Sequence, residues 1–133
     1  MAEFKYGDIT EKIIGASFRV HSALGNGFQE MIYQRALELE FKIMLLNYSR
    51  EFEMPIFYKK EQIGLRRVDF LVEEKVSVEI KAIIELEDVH LAQAINYLEA
   101  YNIEIGLLIN FGSKSLQFKR VINSKYNLTH INH

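Results

Sequence analysis

The chain has 133 residues, of which 49% are hydrophobic and 26% charged, with one proline and no cysteine. This composition argues against disorder, the length suits a single domain over residues 1–133, and the absence of cysteine excludes disulfides and thiolate chemistry. The formal net charge is −2, so any binding of nucleic acid must depend on local basic patches rather than on the charge of the whole chain.

Two segments at the start of the chain have the apolar periodicity of helices. Asp8 followed three residues later by Glu11 resembles a capping box, and the apolar residues after it predict a first helix over about residues 9–24. The glycines in Gly25-Asn26-Gly27 interrupt this pattern, and residues 29–46 predict a second helix. We expect the two helices to cover one face of a sheet.

Three strands are predicted next, over residues 48–58, 64–72 and 76–84. Pro55 favours an edge position or a bulge for the first of them, because proline cannot donate to a ladder. Residues 59–62 predict a turn. Residues 73–75 predict the turn of a hairpin in which Val72 pairs with Val76.

The last third of the chain predicts a helix and two more strands. Acidic residues at 85–88 suit the positive end of a helix dipole, and the helix is predicted to end near Tyr101. Residues 103–110 then predict a buried strand, which after a helix indicates a parallel crossover, and residues 115–122 predict a final strand. The element order predicts an α/β fold with a mixed central β-sheet and helices on both faces.

The predicted hairpin contains acidic residues and a lysine within its strands. Because strand side chains alternate between faces, Glu79 and Lys81 share a face, and the register places Asp69 opposite Glu79. Their Cβ atoms would lie roughly 5 Å apart, which suits a divalent cation. The alternative is a solvated face on which Lys81 pairs with the acids. The opposite face collects apolar side chains that can pack on a helix layer: Val68, Phe70, Val72, Val76, Val78 and Ile80.

Several segments resemble known proteins. Gly27-Phe28-Gln29-Glu30-Met31-Ile32-Tyr33 matches the pattern of the GxxExxY protein family, and Asp69 with Glu79-Ile80-Lys81 resembles the motif of the PD-(D/E)xK nuclease superfamily. The remaining similar segments are His21, Leu24-Gly25-Asn26-Gly27, Arg67-Val68-Asp69-Phe70, His90-Leu91-Ala92-Gln93, Asn96-Tyr97-Leu98 and Gly106-Leu107-Leu108-Ile109-Asn110-Phe111-Gly112. The resemblance covers about residues 9–122 and implies a restriction-endonuclease-like core.

The resemblance also implies metal-dependent hydrolysis of phosphodiester bonds in DNA or RNA. The equivalents of Asp69 and Glu79, with the main-chain carbonyl of Ile80, hold one or two magnesium or manganese ions. Glu30 is, by position, the acid on an early helix that assists them. The equivalent of Lys81 positions or activates the attacking water. We favour the positioning role, because an ammonium beside two carboxylates stays charged.

Four further residues are candidates for auxiliary roles or for nucleic-acid binding. Gln93 and Tyr97 lie four apart on one face of the predicted helix, with His90 on the same side, and they resemble the QxxxY element of RecB-like nucleases. His90 could contact phosphate, ligate metal, or be a hydrogen-bonded histidine in the protein interior. Tyr33 is a core residue or a partner of a motif carboxylate.

Basic residues form two candidate patches for a polyanion, with scattered solvated charge as the alternative. The patches are Lys59, Lys60, Arg66 and Arg67, and Lys114, Lys119, Arg120 and Lys125. Among these, Arg67 lies beside the motif and is the candidate for nucleic-acid contact. The acidic balance supports a rival hypothesis, in which the chain is a catalytically inactive nuclease-like scaffold that binds nucleic acid or protein.

The sequence also bears on localisation and assembly. No apolar run approaches the roughly 20 residues of a membrane-spanning helix, and residues 1–5 lack the apolar core of a signal peptide. We therefore expect a cytoplasmic protein with no membrane partner. A homodimer could form through strand edges near residues 103–109 or through the last strand.

Overall fold

A computed structural model describes residues 5–128 of the chain. Its elements are α1 (Gly7–Leu24), α2 (Glu30–Ile43), β1 (Tyr48–Tyr58), β2 (Glu61–Val72), β3 (Val76–Lys81), α3 (Asp88–Tyr101), β4 (Ile105–Asn110) and β5 (Gln117–Ile122). Every predicted element is present, although several end a few residues from the expected position. Residues 1–4, which contain most of the segment used to exclude a signal peptide, lie outside the described part.

The five strands form one sheet in the order β1-β2-β3-β4-β5. Strands β3 and β4 are parallel, and the other neighbouring pairs are antiparallel. The predicted mixed sheet is therefore confirmed. Strand β4 has partners on both sides, so the expectation that residues 103–109 offer a free edge for a dimer is wrong. The edges are β1 and β5, and a dimer stays a prediction.

Two apolar cores lie on opposite faces of the sheet. The first core joins α1 and α2 to the sheet, and its largest members are Ile13, Tyr33, Leu37, Phe41, Phe70, Ile80, Ile105, Leu107 and Phe111. The second core joins α3 to the sheet and comprises Val68, Ala94, Tyr97, Leu98, Tyr101, Leu108 and Val121. Helices thus cover both faces, as the sequence predicts. None of the helices within residues 5–128 is long and apolar enough to cross a membrane.

The helix starts differ from the predicted ones. Helix α1 begins after Tyr6, whose left-handed backbone (φ 55°) turns the chain into the helix without a side-chain cap. The predicted capping box at Asp8 is therefore wrong, and Asp8 lies in the first turn instead. Helix α3 begins at Asp88, because Glu87 and His90 form a reciprocal capping box that fixes the start there rather than at residue 85.

Strands β1 and β2 extend beyond the rest of the sheet as a two-stranded ribbon, which we call the outer ribbon (residues 52–58 and 61–68). A two-residue turn at Lys59 and Lys60, both with positive φ, pairs Tyr58 with Glu61. The predicted four-residue turn is therefore too long. The ribbon contacts α3, since the Tyr101 hydroxyl lies 3.1 Å from the Met54 carbonyl oxygen and 3.2 Å from that of Pro55.

Candidate active site

The candidate site lies where strands β2 and β3 part. Their regular pairing includes the predicted Val72–Val76 pair but ends with Phe70 facing Val78, one residue short of the expected pair between Asp69 and Glu79. In its place, the Ile80 N–H donates to Asp69 Oδ2 at 2.7 Å. A side-chain carboxylate thus accepts a hydrogen bond from a backbone group that the ladder leaves available.

The alternation of faces along β2 is interrupted at Asp69. Phe70 packs in the first core, whereas Val68 packs in the second core beside α3, so the prediction that the two share a face is wrong. On β1, Glu51 stands between two paired residues and has a left-handed backbone with φ 52°. Strands β1 and β2 therefore pass from the first core to the second core at this point, and Asp69 lies at the bend between the two parts.

A cavity of about 530 Å³ opens at this bend. It is lined by Glu30, Gln34, Glu51, Arg66, Arg67, Val68, Asp69, Glu79, Ile80, Lys81 and Gln93. Six predicted site residues therefore line one cavity, together with Ile80. The other charged or polar lining residues are Gln34 and Glu51, which the sequence analysis did not name, and Arg66, which it named only as part of a basic patch.

Asp69 is held by two hydrogen bonds. Gln34 Nε2 donates to Asp69 Oδ1 at 2.9 Å, in addition to the bond from Ile80 to Oδ2. Burial raises the pKa of the Asp69 carboxyl, while these two donors and the charge of Lys81 act to lower it. Gln34 lies four residues after Glu30, one helical turn along α2, and this spacing was the sequence signal that could have identified it.

Glu79 is buried, with 8% of its surface exposed, and pairs with Arg66. Arg66 Nη2 lies 3.0 Å from Oε1 and 3.2 Å from Oε2 of Glu79. Burial raises the pKa of Glu79, and the charges of Arg66 and Lys81 oppose that shift. The ion pair of Glu79 is therefore with Arg66, rather than with Lys81 as in the solvated-face alternative.

The Arg66 guanidinium lies over an aromatic ring of α3. Its central carbon is 5.5 Å from the ring centroid of Tyr97, which is fully buried in the second core. Burial raises the pKa of Tyr97, and its hydroxyl has no hydrogen-bond partner among the described residues. Tyr97 thus lies beneath Arg66 and outside the cavity lining, while Gln93, one turn earlier, is exposed and lines the cavity.

Glu30 and Lys81 complete the polar lining. Glu30 is the first residue of α2 and is exposed, so water screens its charge. Desolvation raises the pKa of Glu30, Lys81 opposes the shift, and the charges of Asp69 and Glu79 add to it. The three acids and the lysine are therefore close enough to influence one another. Lys81 is half-buried at the end of β3, facing Asn110 of β4.

The chain after Lys81 is fixed by Asn110 and Gly112. The Asn110 side chain accepts from the Ile83 N–H at 3.0 Å and donates to the Ile83 carbonyl at 2.9 Å. A Cβ at Gly112 would lie 2.3 Å from the Ile83 nitrogen, so only glycine allows this approach. Both residues belong to a segment that resembles the nuclease family, but sequence alone did not indicate their positioning role.

Two more predicted site residues, His90 and Tyr33, lie outside the cavity lining. His90 caps α3 by accepting the Glu87 N–H at 2.9 Å and lines a separate cavity; it is hydrogen-bonded as one alternative expects, but it is half-exposed rather than in the protein interior. The buried Tyr33 hydroxyl donates to the Gly25 carbonyl at 2.7 Å and accepts from the Phe28 N–H, which agrees with a core role. Arg67 lines the cavity but is exposed.

Arg67 is also engaged by acids of β1. Its two terminal nitrogens lie 3.3 Å from Glu51 Oε1 and 3.5 Å from Glu53 Oε2. These pairs are solvent-exposed and contribute little to stability. Arg67 can therefore exchange these partners at low energetic cost.

The side chains are compatible with a divalent cation, although they are not arranged as a finished site. Within residues 5–128, no group of three or more His, Cys, Asp and Glu side chains lies close enough to hold a metal ion. The residues that line the cavity nevertheless include four with carboxylate oxygens, Glu30, Glu51, Asp69 and Glu79, and Ile80, whose main chain can add a carbonyl oxygen. Hard oxygen donors of this kind are those that magnesium and manganese prefer.

Comparison with known proteins identifies the family. The chain matches the family model of the PD-(D/E)XK nuclease superfamily over residues 7–121 and belongs to that superfamily. No curated protein matches it. The crystal structure of SSO0001 is similar to this chain with a TM-score of 0.57 at 19% identity, over 87% of this chain and 58% of that one. The chain thus spans under two thirds of that protein, and the similarity concerns the fold alone.

Proposed function

We propose that this chain is a divalent-metal-dependent nuclease that hydrolyses phosphodiester bonds in DNA or RNA. The observation that supports this most directly is the shared cavity of Glu30, Asp69, Glu79 and Lys81, at the point where β2 and β3 part. Membership of the PD-(D/E)XK nuclease superfamily supports a nuclease-type function. The finer assignment below concerns the metal and the role of each residue.

Asp69 and Glu79, with the main-chain carbonyl of Ile80, would hold magnesium or manganese, and Glu30 would assist from α2. When bound, such an ion supplies Lewis-acid stabilisation of the charge that develops on the phosphate. Gln34 and the Ile80 N–H keep the Asp69 carboxylate in one orientation, which lowers the cost of ordering it for binding. The raised pKa values of Asp69 and Glu79 mean that ionisation of these acids is coupled to cation binding.

The remaining polar residues of the cavity act on the substrate. The Lys81 ammonium positions the attacking water and stabilises phosphate charge in the transition state. The exposed Gln93 amide can donate to a backbone phosphate, and Arg67 can do so after releasing Glu51 and Glu53. His90 has no part in this scheme, because it lines a separate cavity.

The test is a cleavage assay on labelled single- and double-stranded DNA and RNA, with manganese, magnesium or a chelator. We expect cleavage only with the cation, and a loss of about 100-fold or more in Asp69→Asn, Glu79→Gln and Lys81→Met, as for removal of a single transition-state donor. Glu40→Gln is the matched control for Glu79→Gln, because it also deprives an arginine, Arg19, of its carboxylate partner but lies outside the cavity. Cleavage that persists unchanged in Asp69→Asn would overturn the proposal.

One observation favours the rival hypothesis of a nuclease-like scaffold without turnover. Glu79 is already neutralised by Arg66, so the buried carboxylate does not need a cation for its stability. Titration calorimetry with manganese separates the two hypotheses. The nuclease requires binding that Asp69→Asn weakens, whereas the scaffold requires neither cation binding nor cleavage and predicts only association with nucleic acid or protein.

A further inference from the structure

The contact between Arg66 and Glu79 has an unusual geometry for an arginine–carboxylate pair. A single nitrogen, Arg66 Nη2, approaches both carboxylate oxygens, at 3.0 and 3.2 Å. The strongest arginine–carboxylate pairs instead use two nitrogens in a planar fork. The observed pair thus occupies both oxygens of Glu79 without the geometry that would make it hard to separate.

Arg66 and Glu79 also differ in their access to solvent. The Glu79 side chain is 11% exposed and belongs to the sheet, whereas the Arg66 side chain is 29% exposed and lines the cavity. The face of the fully buried Tyr97 ring supports the guanidinium at 5.5 Å. An aromatic face holds a cation without fixing its orientation, so Arg66 can turn towards the cavity while it stays over the ring.

A divalent cation at Glu79 would need the same oxygens that Arg66 Nη2 now contacts. Two positive groups that lie against one carboxylate in a partly buried site repel each other, because their charges are poorly screened there. This repulsion favours movement of Arg66 away from Glu79 as the cation binds. Arg66 Nη2 also lies 3.5 Å from the Gln93 carbonyl oxygen, and a negatively charged group that enters the same cavity would be a stronger partner than this neutral one.

We infer that Arg66 is a displaceable counter-ion for Glu79, which gives way to the divalent cation and then binds a phosphate of the nucleic acid. This inference rests on the proposed nuclease function. It assigns Arg66 a double effect: the residue opposes binding of the cation alone and favours binding of the substrate once the cation is present. Guanidinium suits this exchange, because it binds carboxylates and phosphates through the same donors.

The test measures the two effects separately in Arg66→Ala and Arg66→Gln. Calorimetry with manganese alone should give binding about 10-fold tighter than in the wild type, a typical size for coupling between two ligands. Anisotropy of a labelled oligonucleotide at saturating manganese, with Lys81→Met in every protein to slow hydrolysis, should give binding about 10-fold weaker. A purely structural role would weaken both, so the opposite signs identify the exchange.

Arg19→Ala is the matched control, since Arg19 also pairs with a single glutamate, Glu40 at 2.7 Å, but lies outside the cavity. It should leave manganese affinity unchanged. Arg66→Gln keeps a donor to Glu79 without the charge, so it tests the inference even where Arg66→Ala does not fold. If the wild type binds manganese and the folded Arg66 variants bind it no more tightly, the inference is wrong while the nuclease proposal stands. If no protein binds manganese or cleaves, both fail.

Discussion

The two halves of strand β2 differ in their strand pairing and in the burial of their apolar side chains. Residues 70–72 pair with both β1 and β3, and Phe70 and Val72 are fully buried in the first core. Residues 61–68 pair with β1 alone, and the apolar side chains of Ile63 and Leu65 are more than half exposed. Asp69 lies between the halves. The comparison shows that the candidate site occupies the boundary between a buried sheet with strands on both sides and a more exposed two-stranded ribbon.

This boundary gives the Asp69 carboxylate both a fixed backbone hydrogen-bond donor and open space beside it. On the sheet side, packing fixes the backbone, so the Ile80 N–H is held in place for Asp69. On the ribbon side, β2 separates from β3 while it stays paired with β1. This separation leaves room for a cavity and for Arg66 to approach Glu79. A fully paired strand would use the Ile80 N–H in the ladder, and a free ribbon would not hold it steady.

The largest expected difference between the halves is in their contribution to stability. Phe70→Ala removes a ring that packs against Phe41 at 4.9 Å and Tyr48 at 5.7 Å, and should lower the free energy of unfolding by about 4 kcal/mol. Leu65→Ala, on the exposed ribbon, should change it by less than about 0.5 kcal/mol. Urea denaturation measures both. Equal losses would show that the ribbon is as firmly packed as the sheet.

A smaller effect tests how the ribbon is held on α3. Tyr101→Phe removes the hydroxyl that contacts the carbonyls of Met54 and Pro55, and should lower the free energy of unfolding by about 1 kcal/mol. Hydrogen exchange should accelerate in β1 near Met54 and remain unchanged in β3 and β4. Uniform acceleration throughout the sheet would mean that the ribbon and the sheet unfold as one unit.

The smallest effect concerns the acid at the boundary. Burial raises the pKa of folded Asp69 above its ordinary value of 3.8, so the unfolded chain ionises first as the pH rises. The wild type therefore loses stability relative to Asp69→Asn as the pH rises from about 3.8 through the raised pKa, and the difference is then constant. We expect Asp69→Asn to be more stable by about 0.5 kcal/mol at neutral pH.

The amide in Asp69→Asn can keep both hydrogen bonds. The Gln34 Oε1 atom is buried without a hydrogen-bond partner among the described residues, so a rotated Gln34 amide can accept from the new side chain. Thermal melts from pH 3 to pH 8 measure the difference, with the exposed Asp8→Asn as the control. A difference that shrinks as the pH rises would contradict the assigned direction of the pKa shift.

Local patterns predicted the fold well. Strand β1 has the predicted bounds, and the hairpin turn at residues 73–75 pairs Val72 with Val76 as expected, because alternation and turn residues act over a few positions. The position of Val68 was mispredicted, since the change of face depends on packing against α3, which is distant in sequence. The start of α1 was mispredicted for a different reason. The left-handed backbone of Tyr6 begins the helix before Asp8, and the residue pattern does not reveal that conformation.

The sequence predicted the motif residues of the candidate site, but not the side chains that contact them. Asp69, Glu79, Lys81 and Glu30 follow from their resemblance to a family, and the structure brings them to one cavity. Which of two adjacent arginines contacts Glu79 depends on the orientation of the ribbon, and no local rule distinguishes Arg66 from its neighbour. The spacing from Glu30 could have placed Gln34 on the same face of α2, but not its long-range hydrogen bond to Asp69.

The position of β1 at the edge of the sheet affects the tendency of the protein to self-associate. An exposed outer strand is a template for intermolecular pairing and fibril growth. Here Pro55 removes a backbone donor, a bulge between Ile56 and Phe57 disturbs the regular spacing, and two lysines place repelling charges at the tip. We therefore expect concentrated samples to resist aggregation through this strand, even though several large apolar side chains at its end face solvent.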